Sequence, residues 1–190
     1  MKKKTLLPSS PVIAGSSRRV AQIEEPLMKD DLRLPRAAKL RLYAKGLSDV
    51  EKALRRFPKR MWDWSPKPGV HWCVREVLWH LADSEANYYI RIRRAAAEPG
   101  SPVSSWDHEK WEKVGAYKRR PALEAWALIR LLRVSNLGVL RRLPSKAWSQ
   151  KVRHPDYGVL TLDHIIGMGV WHTRHHLNQM ERRYREWKNR

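Results

Sequence analysis

Near the end of this 190-residue chain stands Trp171-His172-Thr173-Arg174-His175-His176. His172 and His176 are four residues apart, a spacing that on a helix puts both imidazoles on one face, one turn apart. Two rings so placed can share one metal ion. A third ligand has to come from elsewhere, and the best candidate is His80, in Val77-Leu78-Trp79-His80-Leu81-Ala82-Asp83-Ser84-Glu85. Ile165, Gly169, His172 and His176 fall on one row of their segment, along its apolar face. A buried neutral imidazole needs a partner for each nitrogen. Either a metal collects those lone pairs, or the histidines are core or surface residues bonded to neighbours. Spacing alone leaves both readings open. Gly169, one turn before His172, is expected to open room. His175 points about 100° away from His176 and reads as a support for the ligands, a surface residue or part of an interface. His71, His108, His154 and His164 fall in loops or near helix ends and read as ordinary polar residues, with His71 a candidate for the mouth of a site.

Bringing these residues together requires long helices, and the apolar periodicity supplies four. Leu40, Ala44, Leu47, Leu54 and Phe57 recur at helical spacing over roughly 36–57, where Pro58 stops them. Val74, Val77, Leu78, Leu81, Tyr88 and Ile92 give a second helix over about 73–97, closed by Glu98-Pro99-Gly100. Pro121 opens a third, to about Leu143. Thr161 is the expected N-cap of a fourth, running to about Trp187. The connections are long. Residues 58–72 carry Trp62, Trp64 and Trp72 among prolines, and fully extended at about 3.3 Å per residue they reach back along a whole helix. Residues 98–120 form another long loop with a short helix at Asp107–Val114, and Val152 to Leu160 form a small hairpin or extended turn. Long loops favour crossover connections in a four-helix bundle. Ahead of this single domain, 35–190, residues 1–34 mix Ser, Pro, Lys and Arg without period and read as a basic mobile tail.

The net charge of +20 attracts polyanions, acidic small molecules or anionic membranes. Lys and Arg are spread over every helix rather than gathered on one, and burial accounts for the tryptophans. Nucleic acid is therefore expected to bind only by unspecific charge attraction. Cys73 is the one cysteine, so no intrachain disulfide forms, which fits a reducing compartment. No stretch approaches the roughly 20 apolar residues of a membrane span, and the apolar run after Met1-Lys2-Lys3-Lys4 is shorter than a signal peptide's core of roughly 7–15. The expectation is a soluble, cytoplasmic protein with no membrane contact.

Three stretches, in order, resemble the DinB-like superfamily and within it the bacillithiol-transferase type: Trp72-Cys73-Val74-Arg75-Glu76-Val77-Leu78-Trp79-His80 with Leu81-Ala82-Asp83-Ser84 following, Trp106-Asp107-His108-Glu109-Lys110-Trp111, and Trp171 to His176. The resemblance covers about residues 36–187. It implies an all-α, four-helix bundle with long crossover connections in up-up-down-down order and a site on the bundle axis. It implies a divalent metal, Ni2+ or Zn2+, held by His80, His172 and His176 with water in the remaining positions, and a homodimer. The activities it implies are thiol-dependent transfer and isomerisation. The chain departs from the family at Cys73, where the helix N-cap is usually Ser or Thr. That is either a tolerated substitution or a thiol made acidic by the helix terminus. At about 10 Å from His80 by helix rise, it is too far to be a ligand.

Three neutral histidines with open positions describe a catalytic metal site. The function expected is an S-transferase: a low-molecular-weight thiol cosubstrate binds the metal and attacks an electrophilic small-molecule substrate. Asp83, one turn after His80, either orients a ligand ring or water or is a surface residue. Arg174 either steers an anionic substrate or is simply exposed. The alternatives are a hydrolase using metal-activated water, a non-enzymatic basic nucleic-acid-binding protein, and a bundle that keeps the metal without a reaction.

Overall fold

The helix boundaries follow the prolines and caps. The structure, a computed structural model, describes residues 26–190. Its helices are α1 Pro26–Arg33, α2 Arg36–Arg56, α3 Val74–Ala97, α4 His108–Gly115, α5 Ala122–Leu140 and α6 Leu162–Lys188, with strands β1 Lys151–His154 and β2 Gly158–Thr161 before α6. Pro35 and Pro121 stand immediately before α2 and α5. At α3 the Glu76 carboxylate accepts the Cys73 N–H at 2.9 Å. Asp107 caps two N–H groups of α4, and the Thr161 hydroxyl accepts the His164 N–H of α6 at 3.1 Å. The strands pair antiparallel, with Val152 opposite Leu160, as the hairpin reading expects.

Four of these helices, α2, α3, α5 and α6, make the bundle. Their directions follow from which residues meet. Lys39 pairs with Asp163 and Arg56 with Glu181, so α2 and α6 run parallel. Tyr88 lies beside Gly169, His80 beside His172, and the Arg183 guanidinium donates to the Trp72 carbonyl, so α3 opposes α6. Arg75 reaches Arg120, Glu85 reaches Arg133 and Arg93 reaches Asn136, so α3 and α5 run parallel. The order is up-down-down-up. This corrects the up-up-down-down expectation, and residues 57–73 are the reason. They do not run back along a helix. Met61 and Trp62 bury themselves at the bundle end, and the Trp62 carbonyl accepts the Arg75 N–H at 3.0 Å. The segment is thereby folded into a tight reversal. Of the connections between these four helices, residues 98–121 alone cross the bundle's length, beginning alongside β1, where the Val103 N–H donates to the Arg153 carbonyl.

Two apolar clusters fill the bundle. One gathers Val50, Leu54, Phe57, Val77, Trp126 and Met180, and the other Tyr43, Ile92, Leu137, Leu140, Ile165 and Ile166. A buried polar layer contacts all four helices. Arg133 donates to the Tyr43 carbonyl (2.7 Å), Glu85 (2.7 Å) and Thr173 (3.0 Å), while Asn136 and the Tyr43 hydroxyl both donate to Glu85. Burial opposes the Arg133 charge, but the Glu85 carboxylate holds its pKa above the ordinary arginine value.

The tail expected over 1–34 is interrupted at residue 26. Residues 1–25 lie outside the described residues, but 26–33 form α1, packed on α6. Met28 and Asp31 are buried there, and Asp31 pairs with Arg174 at 2.6 Å. Gly167 allows the close approach, since a Cβ there would stand 3.2 Å from the Asp31 carbonyl oxygen. Among the described residues no helix is long and apolar enough to cross a membrane.

Candidate metal centre

The antiparallel crossing of α3 and α6 puts His80 against both histidines of the last helix. The Nε2 atoms of His80 and His172 are 3.0 Å apart, and those of His176 and His172 are 3.2 Å apart. One ring nitrogen of each lies within 4.8 Å of the others. The Nδ1 of His176 meets the Gln179 side-chain oxygen at 2.8 Å. Since a carbonyl oxygen only accepts, Nδ1 carries the proton and Nε2 turns its lone pair to the cluster. Burial, with the neighbouring histidines adding to it, pushes the pKa of His80 and His172 well below the usual value. Burial likewise pushes His176 down to about 4. Near neutral pH the three rings are uncharged, which is the form that binds metal.

The donor set fits a metal ion. At the roughly 2.0–2.1 Å of a zinc–imidazole bond, tetrahedral neighbours stand about 3.3–3.4 Å apart, close to the separations seen here. His176 turns a lone pair to the cluster, so without a cation the only protons among the three Nε2 atoms are those that His80 or His172 would place there.

Trp72 and Trp106 flank His80, with ring centroids at 4.8 and 5.3 Å. The cluster opens into a cavity of about 460 Å3, within the usual range for a small-molecule site. Sequence reasoning missed two of its residues. His108, on α4, brings its ring to 6.0 Å from His80, because the crossover passes this face of the bundle. His154, on β1, lines the same cavity. The stretch around His108 was itself legible, but nothing in the local pattern says where a crossover or a hairpin will lie.

Other candidates take different roles. Asp83 does not touch the histidines: it accepts the Tyr117 hydroxyl and is absent from the cavity wall. Arg174 pairs with Asp31 and does not line the cavity. His175 lines the cavity beside Trp171. His71 is exposed and does not line it, its carbonyl instead accepting the Ser65 hydroxyl. Gly169 opens no room, because Tyr43 occupies the place a Cβ would take, 2.9 Å away. Cys73 is buried, and burial pushes its thiol up to about 12, so it is not a reactive thiolate.

The family model for the DinB superfamily matches residues 42–180. A protein of Oceanobacillus iheyensis named "Putative metal-dependent hydrolase" is 33% identical over 106 residues, 56% of this chain and 61% of the relative. A Bacillus subtilis protein, "Putative metal-dependent hydrolase YfiT", is 32% identical over 107 residues, 56% of this chain and 60% of the relative. The chain thus spans about three fifths of the length of these relatives. Among solved structures, that of YfiT from Bacillus subtilis, described as "a probable metal-dependent hydrolase with an unusual four-helix bundle topology", superposes with a TM-score of 0.72 at 22% identity, over 95% of this chain and 94% of that one. A mycothiol-dependent maleylpyruvate isomerase superposes with a TM-score of 0.63 at 17% identity, over 80% of this chain and 62% of that one. At these identities both structures speak to the fold.

Proposed function

The chain belongs to the DinB superfamily, and on that footing we propose that it is a divalent-metal-dependent enzyme in which His80, His172 and His176 hold nickel or zinc and the sulfur of a low-molecular-weight thiol bonds to the carbon of an electrophilic small molecule, displacing a leaving group such as halide while the thiol's proton passes to solvent. The observation that carries this reading is the meeting of the Nε2 atoms of His80, His172 and His176, at 3.0 and 3.2 Å, on the wall of a cavity. Bound there, a divalent ion would draw down the pKa of a thiol beside it and so supply a nucleophile at neutral pH.

The chain's own residues do the rest. Gln179 fixes the tautomer of His176. Trp72 and Trp106 shield His80 from water. Met28, Met168 and Trp171 give the cavity an apolar wall for an organic skeleton. The choice of a thiol over water rests on the acids. The cavity's one carboxylate among the described residues is Asp156, which already accepts the Ser105 hydroxyl. Among the described residues no carboxylate joins the group of His80, His172 and His176, where metal hydrolases commonly keep one to take a proton from water. Hydrolysis is the second reading, favoured by the names of the relatives and by His108 and His175 on the cavity wall as candidate bases.

The test offers metal-loaded protein a small thiol and an activated haloarene. Thiol loss above the blank is expected, and His172→Ala abolishes it. Ester or amide hydrolysis without any thiol consumption would overturn the transferase reading and leave the hydrolase.

A further inference from the structure

Beyond the histidine cluster, the same cavity is lined by Arg91 and His154. Both are more than nine-tenths buried. Arg91 spends one N–H on the Ser104 carbonyl at 2.9 Å, while its Nε has no partner among the described residues. The Nδ1 of His154 accepts the Asp156 backbone N–H at 3.1 Å, so a neutral ring carries its proton on Nε2. That Nε2 also has no partner among the described residues. Burial and the Arg91 charge keep the ring neutral, its pKa pushed down to about 4. Two residues on one cavity wall, one of them cationic, therefore each keep a buried N–H without an acceptor among the described residues, with the Asp156 carboxylate as a nearby countercharge to both. Buried donors in folded proteins find acceptors.

We propose that Arg91 and His154 form a subsite for the carboxylate end of an elongated organic acid whose other end lies at the histidine cluster. The inference rests on the reading of the cavity as a small-molecule enzyme site. Two donors match the two oxygens of a carboxylate. The Asp156 carboxylate already stands near both groups and repels any anion there, a phosphate dianion more than a carboxylate monoanion. His80 and Arg91 lie eleven residues apart on α3, a rise of about 16 Å before the side chains reach toward each other. A ligand touching both ends is thus an extended molecule, carrying its acid at one end and its thiol or electrophilic carbon at the other. The acid belongs either to the thiol or to its acceptor.

The experiment measures binding of hexanoate, its neutral counterpart hexanamide and inorganic phosphate, by calorimetry at about 0.15 M salt, where surface charges are screened beyond about 8 Å. Wild-type protein, both metal-loaded and metal-stripped, and His176→Ala are expected to bind hexanoate alike, so the result does not depend on the metal site. Arg91→Met and His154→Phe are expected to weaken hexanoate by about tenfold or more, as loss of a charged hydrogen bond does. His154→Gln, which keeps a donor, stays within a few-fold of wild type, as does the exposed control Arg119→Gln. Equal affinity for hexanamide, tighter binding of phosphate, or unchanged hexanoate affinity in a folded Arg91→Met would overturn the proposal. Should Arg91→Met not fold, the hexanoate–hexanamide comparison and the two His154 variants decide.

Discussion

At the scale of single residues, a ring's usefulness depends on what its other nitrogen meets. Gln179 holds the proton on His176 Nδ1, so Gln179→Leu should weaken metal binding by about 10–100-fold with little effect on the fold, as a competition titration would show. Metal-free protein should also lose stability in acid. The rings of His80, His172 and His176 have depressed pKa values when folded and about 6.5 when unfolded. Above pH 6.5 neither state takes up protons on these rings. Below it the unfolded chain is protonated first, so stability falls toward pH 4 by up to about 1.4 kcal/mol per pH unit for each ring. Denaturant melts between pH 7 and 4.5 would show a falling midpoint, less steep in His172→Phe. His172 and His176 were legible as a pair because helical spacing is a local property, and His80 from its place beside the apolar stripe of the second helix. Gly169 was misread, and Asp83 was open to two readings, because the partners that claim them, Tyr43 and Tyr117, come from distant parts of the chain.

At the scale of elements, the polar layer fixes how the helices meet. Arg133 touches α2, α3 and α6 at once through Tyr43, Glu85 and Thr173, and Thr173 is the neighbour of His172. Arg133→Met leaves the Glu85 carboxylate buried without its cation and should cost about 3–5 kcal/mol, read as a lowered denaturant midpoint. Arg174→Ala should loosen α1 in particular, because Asp31 is buried and Arg174 is its partner. Faster hydrogen exchange confined to 26–33 would show it. Each bundle helix lies within a few residues of its expected range, since apolar periodicity, prolines and caps mark both ends. Helix directions were not legible. They depend on whether a proline- and tryptophan-rich connection extends or folds back, and residues 57–73 fold back because Met61 and Trp62 gain more from burial than the chain would from running along a helix.

At the scale of the whole molecule, we propose that the +20 charge gives the chain a weak affinity for DNA by charge alone. On the present account that binding is sequence-independent and falls steeply between low and physiological salt. The outer face of α5 exposes Leu123, Leu131 and Val134, and we propose it as the face a homodimer would cover. Sedimentation of Leu131→Glu should then give monomer where wild type gives dimer. Neither property bears on the proposed chemistry, which would depend on one ion held between α3 and α6. The most direct measurement is elemental analysis of untagged protein, wild type beside His80→Ala and His176→Ala variants that keep wild-type helix content. About one equivalent of nickel or zinc per wild-type chain, lost in both variants, is the predicted result. Wild-type protein that takes up no divalent ion even when one is supplied, or variants that retain it in full, would contradict the account.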